Sequence, residues 1–377
     1  MIEVFRLGTE TEGGAPLFGQ VTSLAVDRLG RVYVADAYSQ TVFVVDSSGT
    51  AVRRLGRFGE GPGELAWPFG IAFQDDSTLW IVDIANSRYS VYDTTGSHIV
   101  DVRRPPLGRL GTWLGRFALS ELIEARVMTG DYALVSFAPT PDGLQPTDTF
   151  AYPLADVPVS EWNPSYTTTS GETMRREKVP FREGHEWALD GEGYVWTGDT
   201  RSGRIVLKTF QGDIVQQFDV PVGPTISRAE RDSAIAGAKA RAPSFDPDDV
   251  PDRKPAFRAL VPLENGGLLL VREGGGGAWC LMELRRNGVI RREAPLPIVP
   301  DLTVPPTTFA GRIWLVARGP YDAPAVHAFE WQSSGDDGPN QLPEPATVSS
   351  EASMDAARPL GRVAASRASE TCREIAS

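Results

Sequence analysis

Aspartates that follow apolar segments are the most regular chemistry-bearing residues of this sequence. Asp36, Asp83 and Asp199 end the segments VYVAD, LWIVD and VWTGD, and each comes just before a short turn. Carboxylate oxygens are preferred ligands of calcium-type ions, so aspartates gathered on one face could bind a cation. They could equally accept hydrogen bonds from backbone N–H groups of the turns. The second interpretation, a structural role, is the one that we expect for all three.

Glu186 is a further candidate, and His185 lies beside it in the sequence. In a repeat of the chain, Glu186 corresponds to Ser23 and Gly70, near the start of a strand in each copy. If these strands surround a channel, the side chains at its mouth could bind a ligand or a calcium-like ion. The alternative for Glu186 is a solvated carboxylate with no ligand. No catalytic residue is assigned, and the predicted ligand-binding set at the mouth is Ser23, His185, Glu186, Asp36, Asp83 and Asp199.

Sequence positions argue against a three-histidine metal site and against a phosphate loop. His98 follows a turn late in one copy of the repeat, His185 lies near the first strand of another copy, and His327 lies in the last copy. Three side chains at such different places are not expected to come within about 2.1 Å of one zinc ion. The segment GEGPGE (59–64) is rich in glycine, but no helix follows it, its proline lacks an N–H donor and its two glutamates would repel phosphate. A rigid turn between two repeats explains this segment better.

A repeat positions all of these residues. The segment VTSLAVDRLGRVYVADAYSQTVFVVDSSG (21–49) recurs as FGIAFQDDSTLWIVDIANSRYSVYDTTG (69–96) and as EWALDGEGYVWTGDTRSGRIVLKTFQG (186–212). Weaker copies around 126–137, Glu273 and Ala317 complete six units at the spacing of about 40–45 residues that is typical of propeller blades. Runs such as LWIVD and RIWLVA are apolar on both faces, so each sheet must be covered on both sides. The pattern predicts an all-β, six-bladed propeller.

The two ends of the repeat region predict how the ring closes. The last copy supplies about three strands, whereas IEVFRL (2–7) is a strand with no partner nearby in the sequence. Pairing of this strand as the outer strand of the last blade would hide both sheet edges. We therefore expect one propeller domain over 1–331, closed by its N-terminal strand.

The segment GRFGEGPGEL, followed by a strand that ends in Asp83 and by ANSRYSVYDTTG, resembles the NHL-type repeat of six-bladed propellers. The resemblance covers about 1–331 and is strongest in the first, second and fourth units. It implies the propeller fold and a range of roles, from protein scaffold and RNA or ligand binding to metal-dependent lyases and hydrolases. Related bacterial proteins are often exported, so the compartment is left open between cytoplasm, periplasm and secretion.

Two segments depart from the repeat. In 223–255, Ser227 and Glu230 have the spacing of a capping box, and residues 228–242 are good helix formers. This helical insertion joins the fourth blade to the fifth on the mouth face, where it could be a lid, a docking ridge or a surface decoration without function. Residues 332–377 are rich in Ser, Ala, Pro and Glu and are predicted to be a disordered tail.

Composition narrows the classes of partner. The formal net charge is −12, and no cluster of Lys and Arg alternates with aromatic residues, which argues against nucleic acid. No apolar stretch is long enough to cross a membrane, and the first 20 residues lack the pattern of a signal peptide.

The favoured hypothesis is a monomeric, non-catalytic propeller without a cofactor that binds a protein or a small ligand at the channel-mouth face. The alternative is a divalent-metal-dependent lyase or hydrolase in which Glu186 and neighbouring mouth residues hold an ion such as calcium.

Overall fold

The computed structural model describes residues 1–8, 17–47, 49–107, 109–110, 115–128, 131–152, 161–162, 165–168, 171–174, 177–241, 243, 245–319 and 322–331. The predicted tail at 332–377 lies outside these described residues. No helix among them is both long and apolar enough to cross a membrane.

Short antiparallel strands with glycine-marked turns build the first half of the chain. After β1 (Ile2–Leu7), the first blade consists of β2 (Val21–Val26), β3 (Val32–Asp36), β4 (Thr41–Val45) and β5 (Ala51–Leu55). The second blade consists of β6 (Pro68–Phe73), β7 (Thr78–Asp83), β8 (Arg88–Asp93) and β9 (His98–Arg103). The third blade is irregular: β10 (Arg109–Leu110) and β11 (Arg116–Ala118) both pair with β12 (Glu121–Met128), which is followed by β13 (Asp131–Thr140) and β14 (Gly143–Tyr152).

The second half of the chain adds three more blades and an insertion. Two small hairpin-like sheets come first, formed by β15 (Glu161–Trp162) with β18 (Glu177–Lys178) and by β16 (Ser165–Thr168) with β17 (Gly171–Met174). The fourth blade consists of β19 (His185–Leu189), β20 (Val195–Asp199), β21 (Arg204–Lys208) and β22 (Ile214–Asp219). The helix α1 (Arg228–Arg241) follows, and then a fifth blade of β23 (Ala259–Pro262), β24 (Leu268–Glu273), β25 (Trp279–Leu284) and β26 (Ile290–Leu296). The sixth blade contains β27 (Thr307–Phe309), β28 (Arg312–Arg318) and β29 (Pro324–Glu330).

The N-terminal strand completes the sixth blade, as the sequence predicts. Strand β1 pairs antiparallel with β29, from Ile2 opposite Glu330 to Leu7 opposite Val326. The sheet order is thus β1-β29-β28-β27, so the first strand of the chain is the outer strand of the last blade. Without this pairing, β1 would have no partner strand and one edge of β29 would be exposed. The pairing therefore removes two unpaired strand edges.

The apolar runs are buried on both faces because each blade packs between two neighbours. In β3, Val32 and Val34 belong to a core cluster shared with the sixth blade, whereas Tyr33 and Ala35 belong to a cluster shared with the second blade. All five residues of β3 are buried. The sandwiching of every blade explains why the strands do not alternate between apolar and polar residues.

The ring has two distinct ends. The mouth face is the end of the ring at which the inner strand of each blade begins, and it carries the connections between blades. The hairpin face is the opposite end, at which the inner strands finish. It carries the turns that lead from the first strand of a blade to the second. The inner strands are β2, β6, β11, β19, β23 and β27.

The insertion folds as predicted and stands on the mouth face. Helix α1 begins with a capping box, in which the N–H of Glu230 donates to Ser227 Oγ (3.3 Å) and the N–H of Ser227 donates to Glu230 Oε2 (3.1 Å). Ala238 and Ile235 of the helix pack with Val179 and Phe181, which precede the fourth blade. The helix is therefore joined to the body of the propeller by its own small core.

Candidate functional site

Asp36 is completely buried, and its carboxylate is used by the backbone. Oδ2 accepts from the N–H of Gly19 (2.9 Å), and Oδ1 accepts from the N–H groups of Gln20 (2.9 Å) and Tyr38 (3.0 Å). The Ser39 hydroxyl donates to Oδ2 (3.0 Å). Asp36 thus fastens the segment that enters the first blade to the turn that follows β3.

Asp83 does the same in the second blade. It is completely buried and accepts from the N–H groups of Ala66 (3.1 Å) and Trp67 (3.0 Å), just before β6. Asn86 Nδ2 donates to Asp83 Oδ2 (2.7 Å) and to the carbonyl of Gly59 (2.9 Å). In the first two blades, the repeated aspartate therefore holds in place the segment that leads into the inner strand.

Asp199 differs from the other two because it fastens only its own turn. It accepts from the N–H of Arg201 (2.8 Å) and from the Ser202 hydroxyl (2.7 Å), and Thr200 Oγ1 instead accepts from the N–H of Gly184 (2.7 Å). Burial would raise the pKa of Asp199, but the hydrogen bonds from Ser202 and the backbone outweigh it, so the pKa lies below its usual value.

The remaining predicted site residues occupy equivalent places on inner strands. Ser23 lies opposite Ala35 in the strand pairing, and Glu186 lies opposite Gly198, one residue before the repeated aspartate in both blades. His185 lies opposite Asp199. The Ser23 hydroxyl accepts from the N–H of Ile71 (3.2 Å) in the second blade. The alignment of the repeats is thus reproduced, with the six candidate residues spread over the first, second and fourth blades.

Groups of three or more His, Cys, Asp or Glu side chains that could hold a metal ion do not occur among the described residues. The three histidines lie in different blades. His98 is 3.0 Å from Asp101 on an outer strand, and His327 Nδ1 is 2.5 Å from Glu3 Oε1. Burial lowers the pKa of His327, although Glu3 opposes this effect.

The GEGPGE segment is a connection between blades whose backbone carbonyl groups accept hydrogen bonds from an arginine side chain. Arg88 of the second blade donates to the carbonyls of Glu60 (3.0 Å), Gly61 (2.7 Å) and Glu64 (2.8 Å). Glu64 Oε2 in turn accepts from the N–H of Gly61 (2.9 Å). Because its carbonyls face an arginine, the segment is arranged to bind a cation rather than a phosphate.

Lys254 anchors the insertion, and nothing in the sequence pattern marks it. Its side chain is completely buried, and Nζ lies 2.6 Å from Glu230 Oε1 and 3.0 Å from Glu273 Oε1. Nζ also donates to the carbonyl of Gly274 (2.7 Å) and lies 5.3 Å from the centre of the Phe181 ring. One cation therefore links helix α1, the fifth blade and the segment that precedes the fourth.

A second buried ionic group lies between the second and third blades. Glu124 forms an ion pair with Arg126, and Arg104 Nε is 3.9 Å from Glu124 Oε1. Burial raises the pKa of Glu124 to about 7, although Arg126 opposes this effect. Burial lowers the pKa of Arg104 to about 10, and the nearby Arg126 adds to the effect. The sequence gives no signal for this group because β12 belongs to the most irregular copy of the repeat.

Exposed aromatic side chains lie on connecting loops of the mouth face. Tyr38, Phe58 and Trp67 are 80%, 69% and 47% exposed, and Leu17 is 51% exposed. Leu17 lies on the segment that enters the first blade, Tyr38 on the turn between β3 and β4, and Phe58 and Trp67 on the connection between the first two blades. Asp36 and Asp83 hold three of these segments in place, as described above. Exposed apolar residues that occur singly are normal, whereas several that gather on one face are typical of an interaction surface.

The opposite end of the channel contains a cavity of about 220 Å³. It lies at the hairpin face, between the inner strands of the third to sixth blades. Its polar lining consists of Arg116, Asp190, Glu192, Glu264, Thr307 and Thr308. The cavity is thus distinct from the predicted mouth residues, which lie at the other end of the ring.

Residues 3–107 match a family model described as a 6-bladed beta-propeller. Virginiamycin B lyase from Staphylococcus aureus has a similar structure, with 14% identity, a TM-score of 0.45 and coverage of 86% of this chain and 98% of that chain. Glutaminyl cyclase from Myxococcus xanthus is 12% identical, with a TM-score of 0.35 and coverage of 78% and 97%. A protein of unknown function from Bacteroides caccae is 8% identical, with a TM-score of 0.39 and coverage of 78% and 84%.

No curated protein matches the sequence. At these identities and TM-scores, the solved structures carry no argument about activity. The six blades, the strand pairing between the two ends of the ring and the family match agree on the architecture. The chain is a six-bladed β-propeller protein closed by its N-terminal strand.

Proposed function

We propose that this protein is a non-catalytic propeller that binds a protein partner at its mouth face. The observation that carries the proposal is the exposure of Tyr38, Phe58 and Trp67 on two loops of that face. Aromatic residues are enriched at protein interfaces and supply much of their binding energy. Exposed apolar residues elsewhere, such as Leu29, Ile99 and Ile214, are aliphatic and lie on the hairpin face or on outer strands.

The loops that carry the aromatic residues are held in one conformation before any partner binds. The carboxylate of Asp36 fixes both the segment before β2 and the turn that contains Tyr38. Asp83 fixes the backbone of Trp67, and Asn86 fixes the carbonyl of Gly59. Because little loop entropy is lost on association, a surface of this kind favours binding.

The overall charge favours one kind of partner. With a formal net charge of −12, the protein attracts basic surfaces and repels acidic ones over distances comparable with the Debye length. We therefore expect a partner that presents apolar pockets surrounded by basic residues, and an association rate that falls as salt is added.

A site-specific photocross-linker tests this proposal. The full chain would carry p-benzoylphenylalanine at position 38 in one sample and at position 29, on the hairpin face, in the other. A partner cross-linked from position 38 alone would then be purified and its affinity measured. The variant Tyr38→Ser/Phe58→Ser/Trp67→Ser should lose on the order of 100-fold in affinity.

The matched control is Leu29→Ser/Ile99→Ser/Ile214→Ser, which removes three side chains of similar exposure (75%, 53% and 61%) away from the mouth face. It should bind the partner as tightly as the wild-type protein does. Equal cross-linking from positions 29 and 38, or equal losses in the two triple variants, would count against a mouth-face interface.

A divalent-metal-dependent lyase or hydrolase is the second candidate. The observation in its favour is the pairing of His185 with Asp199 next to Glu186 on the inner strand of the fourth blade. Elemental analysis of the full chain, after dialysis without a chelator, separates the two candidates. A stoichiometric divalent ion that is lost in Glu186→Ala would favour the enzyme, whereas wild-type protein free of metal would oppose it.

A further inference from the structure

The cavity at the hairpin face contains an arginine for which no counter-charge is found in the part of the chain that the structure describes. Arg116 is the first residue of β11, the three-residue inner strand of the third blade. Among the described residues, no hydrogen-bond or ion-pair partner of its side chain is found. Burial lowers the pKa of Arg116, and no neighbouring charge contributes to this shift. Arg116 is half-buried, and a partly desolvated guanidinium with no counter-charge among the described residues is unusual.

The acidic residues of the same cavity do not serve as that counter-charge. Asp190 Oδ1 accepts from the N–H groups of Glu192 (2.9 Å) and Tyr194 (2.8 Å) in its own turn. Glu192 Oε2 lies 3.2 Å from Arg286 Nη1, outside the channel lining. Glu264 is exposed at the turn between β23 and β24. With respect to the described residues, Arg116 is thus left as a donor group of the cavity without an acceptor.

Two threonines of β27 lie in the same lining. The Thr308 hydroxyl donates to the carbonyl of Pro262 (3.0 Å), which joins the sixth blade to the fifth. The Thr307 hydroxyl has no such bond to the described residues and adds a second available hydrogen-bonding group. The rest of the lining includes the apolar residues Leu189 and Val261. One guanidinium, one hydroxyl and apolar walls are typical of a small-molecule pocket.

We propose that this cavity binds a small organic monocarboxylate, with Arg116 as the group that recognises the carboxylate. The planar guanidinium presents parallel N–H donors that match the two oxygens of a carboxylate. A phosphate dianion is disfavoured because Asp190, Glu192 and Glu264 line the same space and would repel its second charge. The cavity volume of about 220 Å³ suits a small acid rather than a drug-sized ligand.

The proposal makes a statement about the unliganded protein too. An arginine that serves the fold has partners, and its removal destabilises the protein. An arginine kept for a ligand costs stability, so its replacement by an apolar side chain of similar length leaves the protein as stable or more stable. The sign of this change in melting temperature separates the two roles without any ligand.

The test uses the full chain and four probes: propionate, succinate, inorganic phosphate and chloride. Isothermal titration should show saturable binding of propionate that is tighter than that of the other three probes. Arg116→Met should weaken propionate binding at least about tenfold. Arg116→Lys should also weaken it, because an ammonium group cannot offer the two parallel N–H donors of a guanidinium. Without propionate, the melting temperature of Arg116→Met should equal or exceed that of the wild-type protein.

Arg285→Met, which removes an exposed arginine from the turn between β25 and β26, is the matched control and should change neither quantity. Thr307→Val keeps the volume of the side chain and should weaken binding several-fold, which provides a test even if the Arg116 variants do not fold. Failure of propionate to saturate, tighter binding of phosphate or chloride, or unchanged affinity in Arg116→Met would each overturn the proposal. A lower melting temperature of unliganded Arg116→Met would do so too.

This site and the proposed mouth-face interface are tested independently. The triple variant of Tyr38, Phe58 and Trp67 changes only the mouth face, so it should bind propionate as the wild-type protein does. Arg116→Met should in turn leave the affinity for a mouth-face partner unchanged.

Discussion

Two cations lie at opposite ends of the propeller, and their surroundings differ: Lys254 is completely buried, whereas Arg116 is half-buried. At the mouth face, Lys254 contacts the carboxylates of Glu230 and Glu273 and the carbonyl of Gly274. At the hairpin face, Arg116 lines a cavity and has no partner among the described residues. Polar groups in a folded protein are nearly always paired, so a complete set of partners indicates a structural role, whereas a cation that lines a cavity without one is a candidate for ligand binding. Lys254 therefore belongs to the fold, and Arg116 is the stronger indication of a ligand.

Replacement of Lys254 should have the largest effect on stability. Lys254→Met removes the cation but leaves Glu230 and Glu273 close together and largely buried, which we expect to cost about 3–5 kcal/mol of unfolding free energy. Chemical denaturation monitored by tryptophan fluorescence measures this loss. Lys239→Met, an exposed lysine on the same helix, is the control and should change stability by less than about 0.5 kcal/mol. Equal effects of the two variants would mean that the buried ion pairs do not anchor the insertion.

Replacement of the repeated aspartates should reveal a smaller, graded effect at the mouth face. Asp36→Ala leaves at least four donors without their acceptor inside the protein, so a loss of about 2–4 kcal/mol is expected. Asp199→Ala removes bonds only within an accessible turn and should cost about 1 kcal/mol. Thermal unfolding of both variants provides the comparison. A similar loss in both would contradict the conclusion that only Asp36 and Asp83 fasten connections between blades.

The architecture could be predicted from the sequence because it depends on local patterns. Doubly apolar runs, glycine turns and the capping box of Ser227 and Glu230 each act within a few residues, and all appear in the structure. The partners of Lys254 could not be predicted, because Phe181, Glu230 and Glu273 come from three separate segments that only the closed ring brings together. Arg116 was missed for a related reason: the third unit is so irregular that its three-residue inner strand leaves no recognisable pattern.

Glycines at the two ends should respond in opposite directions. A Cβ at Gly223 would lie 1.9 Å from the carbonyl oxygen of Lys254, so Gly223→Ala must displace backbone and should cost about 1–3 kcal/mol. A Cβ at Gly191, in the lining of the hairpin-face cavity, meets no atom within 4 Å. Gly191→Ala should therefore be neutral or stabilise the protein by about 0.5 kcal/mol. The melting temperatures of the two alanine variants measure this difference. A melting temperature of Gly191→Ala below that of the wild-type protein would contradict the prediction.

Acid should weaken the mouth face through Glu230, which makes an ion pair with Lys254. Burial raises the pKa of Glu230, but hydrogen bonds from Lys254 and Ser227 outweigh it and bring the pKa to about 2. A carboxylate whose pKa is lowered on folding stabilises the protein above its unfolded pKa of about 4.3, and this contribution is lost as the pH falls towards 2. Because solvent screens part of the interaction, we expect about 1 kcal/mol. Stability measured from pH 6 to pH 2 should fall less steeply in Glu230→Gln than in the wild-type protein. Arg116 remains charged throughout this range, so Arg116→Met should leave the slope unchanged, and a change there would mean that the two ends are not independent.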